Sequence, residues 1–199
     1  MTSSARSFGF AVFLAVALAR LGTAVAGAQD AKPSPAPPYL TVGAVEASPG
    51  ASVIVPVYYT PEPKTPVRSF TAEIEFVSNN LTFQDVAQGV IDADDLKITS
   101  SVATAQPDSN GVKHSKIRLA ATLADKAKQG LHEGLVAYLM FNLSVEAKPF
   151  VIKLTPTIIS AEDTQKPPRK IAKFGAQPGS VAVLSLDATP EMSCFFFTH

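Results

Sequence analysis

The chain has 199 residues, with 17 basic against 17 acidic side chains, three histidines, one cysteine and no tryptophan. Near-neutral charge supplies no basic field to draw a nucleic acid or an anionic membrane surface, so polyanion binding is not expected. One cysteine, Cys194, cannot make an intramolecular disulfide, and a chain of this length buries a sufficient core without one.

The first 28 residues read as a secretory signal peptide. Arg6 precedes an apolar stretch from Phe8 to Leu18, and Ala26-Gly27-Ala28 offers a small-x-small cleavage site. No later window reaches the roughly 18 consecutive apolar residues of a membrane span, so the mature chain is expected to be secreted, with no transmembrane segment. Because the leader holds Arg6 and Arg20 and no acidic residue, its removal shifts the net charge to about −2. Residues 29–38, rich in proline, read as an extended spacer.

From Tyr39 onward, strand-like runs alternate with turn signals. "YLTVGAV" (39–45) leads through Ser48-Pro49-Gly50 into Val53, Val55 and Val57, which alternate with Pro56 among them. Proline cannot donate to a sheet ladder, so Pro56 predicts an edge or irregular strand, and Pro156 within "VIKLTPTII" predicts a second. In 68–77, Phe70, Ala72, Ile74 and Phe76 take one face, and Ser69, Thr71, Glu73 and Glu75 the other. Further runs follow at 81–86, 95–103, 112–123, 134–147, 150–160 and 180–186, with one weak helical turn at 124–129 and an irregular tail at 188–199. Nine short strands with frequent turns predict an all-β fold, an antiparallel sandwich or barrel occupying residues 39–187.

Chemistry-bearing patterns are sparse. His114, His132 and His199 include no pair at the i, i+4 spacing of a helical zinc site, and the first two lie in or beside polar turns. There is no Gly-x-Ser-x-Gly nucleophile elbow, phosphate loop or dinucleotide signature. The acidic cluster Asp92, Asp94 and Asp95 lacks the spacing of a calcium loop and reads as a solvated turn. No catalytic residue, cofactor or metal is expected. Tyr58, Tyr59 and Tyr138 lie in strand runs where core packing is the default, which weakens an aromatic platform for crystalline polysaccharide. Asn80-Leu81-Thr82 and Asn142-Leu143-Ser144 match the glycosylation sequon.

Several segments, taken together, carry a family pattern. Val45, Pro49-Gly50, Val53-x-Val55-Pro56-Val57, the alternating strand ending at Phe76, and Leu81-x-Phe83-x-x-Val86-x-x-Gly89 follow one another in that order. Gly134 to Phe141 and Gly179-Ser180-Val181-Ala182-Val183 follow downstream. This succession, over residues 40–186, resembles the cohesin domain of cellulosomal scaffolds. The resemblance implies a nine-stranded β-sandwich of jelly-roll type, not an enzyme, that receives dockerin helices on one sheet face. It puts Ser69, Thr71, Glu73 and Glu75 on that face, and alternation adds Lys116 and Arg118. A dockerin-like protein is the expected partner, with a carbohydrate-binding accessory domain or an assembly subunit as the alternatives. A scaffold normally carries several cohesins and an anchor, whereas a single domain is expected here, so fold analogy leaves the partner's identity open.

Overall fold

The structure, a computed structural model, describes residues 37–91, 96–124 and 129–185, all within the unit Pro35–His199. The signal segment, most of the spacer, Asp92, Asp94 and Asp95, the centre of the 124–129 turn and the tail with Cys194 lie outside the described residues.

Eleven strands follow in order: β1 (Tyr39–Val42), β2 (Ala44–Ala47), β3 (Ser52–Thr60), β4 (Val67–Val77), β5 (Leu81–Gln88), β6 (Leu96–Thr104), β7 (His114–Leu123), β8 (Gly134–Leu143), β9 (Val151–Asp163), β10 (Gly175–Gln177) and β11 (Gly179–Val183). They form a five-stranded sheet, β10-β1-β3-β8-β5, and a six-stranded sheet, β2-β11-β9-β4-β7-β6. Of the all-β sandwich or barrel expected from alternation, the sandwich is present. Among the described residues the strands number eleven rather than nine, because the run 39–45 is two strands in different sheets and the short β10 was not anticipated. Pairing is also not wholly antiparallel, since β1 with β10 and β2 with β11 run parallel. The run expected to continue to residue 147 stops at Leu143, where a turn closes through the Ala147 N–H donating to the Ser144 carbonyl.

Alternation builds the core. Along β4, Phe70, Ala72, Ile74 and Phe76 are buried, and they meet Val53, Val55, Val57 and Tyr59 of β3 with Leu139 and Phe141 of β8 in one cluster. Phe141 meets Phe76 and Phe83 edge to face at centroid separations of 5.4 and 5.7 Å, a geometry that aromatic quadrupoles favour. At the other end Tyr59 packs with Phe70 and Phe174. Of the tyrosines expected in the core, Tyr59 is fully buried, whereas Tyr58 is 45% exposed, because consecutive strand residues point to opposite faces.

Pro56 does not mark an edge. β3 lies between β1 and β8, and the irregularity is local: a register shift at Val57/Tyr58 against β8, and the end of β1 on the other side. Gly43 follows β1 directly. Its N–H donates to the Pro56 carbonyl at 2.8 Å, while its own carbonyl accepts from Ser180 N of the six-stranded sheet at 3.2 Å. Proline has no N–H to hold that second carbonyl, so the chain leaves one sheet for the other at this point. Pro156 lies beyond the last residue of β9 that pairs with β11, Leu154, and there only β4 flanks it. Its strand is locally an edge.

Candidate partner-binding face

Strands β4 and β7 pair antiparallel with Glu73 opposite Arg118 and Glu75 opposite Lys116. Both strands bury their alternate residues, so these side chains project outward from the six-stranded sheet. Arg118 Nη2 donates to Glu73 Oε1 at 2.9 Å. Lys116 Nζ stands 3.6 Å from Glu75 Oε2 and 3.9 Å from Glu73 Oε2. His114 Nδ1 extends the row, 3.3 Å from Glu75 Oε1. Ser69 and Thr71 continue the face along β4, with Ser69 Oγ donating to Glu162 Oε2 of β9 at 3.5 Å. All six residues singled out in the sequence thus lie on one outward face.

Energetically the row does little for the fold. Lys116 and Arg118 side chains are 53% and 58% exposed, and exposed pairs contribute about 0–1 kcal/mol each. What the cross-strand pairing does is hold the two carboxylates of β4 beside the two cations of β7 on a rigid sheet, a pattern complementary to another charged surface.

The structure adds residues that the sequence reading passed over. Strand β9 flanks β4 on its other side, with Thr157 opposite Glu73 and Thr155 opposite Glu75. Strand β6 flanks β7, with Ser101 opposite Arg118. His114, in the run 112–123 and in or beside a polar turn by sequence, is the first residue of β7. The same two-residue alternation in "VIKLTPT" would have placed Lys153, Thr155 and Thr157 on this side. Below Glu75 and His114 a hollow of about 430 Å³ is walled by Phe150, Val151 and Lys153, and Phe150 and Val151 are about half exposed. The face therefore passes from a charged centre to an apolar margin. Among the described residues, no three His, Cys, Asp or Glu side chains converge to hold a metal ion, and no helix is long and apolar enough to cross a membrane.

The family model of the cohesin domain matches residues 38–173. The chain belongs to the cohesin domain family. Cohesin domains are non-catalytic binding modules, and among solved structures several share this cohesin fold. The seventh ScaB type I cohesin from Pseudobacteroides cellulosolvens is 16% identical, with a TM-score of 0.58 over 82% of this chain and 98% of that one. The cohesin of a type I cohesin–dockerin complex from Clostridium thermocellum is also 16% identical, at a TM-score of 0.55 over 74% and 99%. A non-cellulosomal cohesin from the hyperthermophilic archaeon Archaeoglobus fulgidus is 19% identical, at 0.51 over 75% and 93%. No curated protein sequence matches the chain.

Proposed function

We propose that this cohesin is an exported, non-enzymatic adaptor that binds a helical, dockerin-like protein on the outward face of β9-β4-β7-β6. The supporting observation is the ordered row of Glu73, Glu75, Lys116 and Arg118 across β4 and β7, with Ser69 and Thr71 beside it. A flat polar sheet face with fixed charges suits the side of a helix better than it suits an extended strand, because its backbone donors and acceptors are already spent on neighbouring strands. Family membership and the dockerin-bound state of the Clostridium thermocellum relative support the same partner class. The proposed organisation is a leader at 1–28, a spacer at 29–38, the binding domain at 39–187 and a tail at 188–199. Cohesins act at the cell surface or outside the cell, which agrees with export by that leader.

The test is capture from the exported proteins of the source organism with the mature chain as bait, beside a Glu73→Arg variant. The expected partner carries duplicated calcium-loop helices and buries on the order of 1,200–2,000 Å² in the complex. Charge reversal at Glu73 sets three cations side by side and should weaken capture by about tenfold or more. Equal capture by a variant that retains its fold would remove this face from the assignment.

A further inference from the structure

Apart from the charged face, the molecule carries a second, differently built charge cluster. The hairpin segment 60–66 after β3 and the segment 163–173 after β9 wall a groove of about 490 Å³. Lys64, Arg169, Lys170 and Lys173 line it, against two carboxylates, Glu62 and Asp163. Both carboxylates are engaged locally. Glu62 Oε2 accepts from Thr65 Oγ1, and Asp163 Oδ1 accepts from the N–H groups of Gln165 and Arg169 at 3.0 and 2.8 Å. None of the four cations has an ion-pair partner among the described residues, whereas Lys116 and Arg118 on the other face are both paired. Lys166, in the same segment, is exposed as well.

The segment is framed before any ligand arrives. Asp163 N–H donates to the Arg169 carbonyl and Ile171 N–H to the Ala161 carbonyl, fastening residues 169–171 to the end of β9. Four cations against two carboxylates leave a surplus of positive charge on a braced backbone, and an anionic ligand offsets that surplus. We infer that this groove binds an acidic polysaccharide, one whose successive sugars carry carboxylates. The backbone of the groove favours a glycan over an acidic peptide. The N–H groups of Thr65, Asp163, Gln165, Arg169 and Ile171 are all used within the protein, and Pro66, Pro167 and Pro168 have none, so at these positions a peptide main chain has no donor to pair with. Pendant charges on a polymer meet the lysine ammonium groups, which act as hydrated point charges without demanding planar geometry. The near-zero total charge hides this site because acidic residues elsewhere cancel it.

The experiment is affinity electrophoresis of the full mature chain through gels containing polygalacturonate, with neutral galactan and poly-glutamate gels in parallel. The chain should be retarded by polygalacturonate alone and released as salt rises. Lys64→Gln/Arg169→Gln/Lys170→Gln/Lys173→Gln should lose about tenfold or more in affinity, as four weak exposed pairs together would give. Lys113→Gln/Lys148→Gln, outside the groove, should migrate as the parent does, and circular dichroism verifies that both variants fold. Absence of retardation, equal loss in both variants, or retardation by poly-glutamate as strong as by polygalacturonate would overturn the assignment, the last in favour of an acidic peptide. The groove shares no residue with the β4/β7 face, so failure here leaves the adaptor reading standing, and the reverse holds.

Discussion

Tyr59 shows how a single side chain can be settled by packing and still carry a polar cost. Its ring is enclosed by Phe70 and Phe174, and its hydroxyl is buried with no hydrogen-bond partner among the described residues. Burial pushes the phenol well above the ordinary tyrosine range, and nearby Glu62 adds to the shift. The folded pKa is raised, so the contribution to stability is complete below the unfolded value of about 10 and declines as pH rises beyond it. Replacing Tyr59 with Phe removes both the unpaired hydroxyl and this titration. Denaturant unfolding at pH 7 should show a loss of no more than about 1 kcal/mol, and the decline of stability above pH 10 should flatten. A loss of several kcal/mol at neutral pH would show that the hydroxyl is satisfied after all. Glu73 is the opposite case, a residue of little value to the fold, and Glu73→Gln should change stability by less than about 1 kcal/mol.

At the scale of elements, the crossing between sheets is the sharpest feature. Gly43 and Gly179 meet there. A Cβ on Gly179 would lie 2.2 Å from the Gly43 carbonyl oxygen, and one on Gly43 would lie 2.7 Å from Pro56 Cγ. Backbone cannot yield as a flexible side chain can, so Gly179→Ala should cost at least about 2 kcal/mol in thermal or denaturant unfolding, and a variant as stable as the parent would contradict the crossing described. This junction also marks the limit of what the sequence discloses. Alternation identified which residues of β3, β4 and β7 face inward, because a period of two is a local property. It could not say which strand lies beside which, so Pro56 left open an edge or an irregular strand, of which the irregular one is found where β1 ends against it, and the parallel partners of β1 and β2 were not legible. The face was largely readable on β4 and β7 for the same local reason. Its β9 half followed the same rule but was not singled out, and His114, although within the run 112–123, was not counted on the face. The cation groove was beyond reach, since Lys64 and Arg169 come from segments about a hundred positions apart.

Taken as a whole, the molecule presents two charged surfaces built on different principles. On one, carboxylates and cations neutralise each other across paired strands, which suits a partner that carries both signs of charge. On the other, cations stand unpaired in a braced groove, which suits an anion. An adaptor with both would join a protein to an acidic polymer, and each half can fail separately. The adaptor claim is central. The most direct measurement is amide chemical-shift mapping of the full mature chain as the captured helical partner is added. Shifts concentrated at Ser69–Glu75 of β4, Lys116–Arg118 of β7 and Thr155–Thr157 of β9 are the expected result. Shifts confined to β1, β3 and β8 of the five-stranded sheet, with β4 and β7 unmoved, would contradict it.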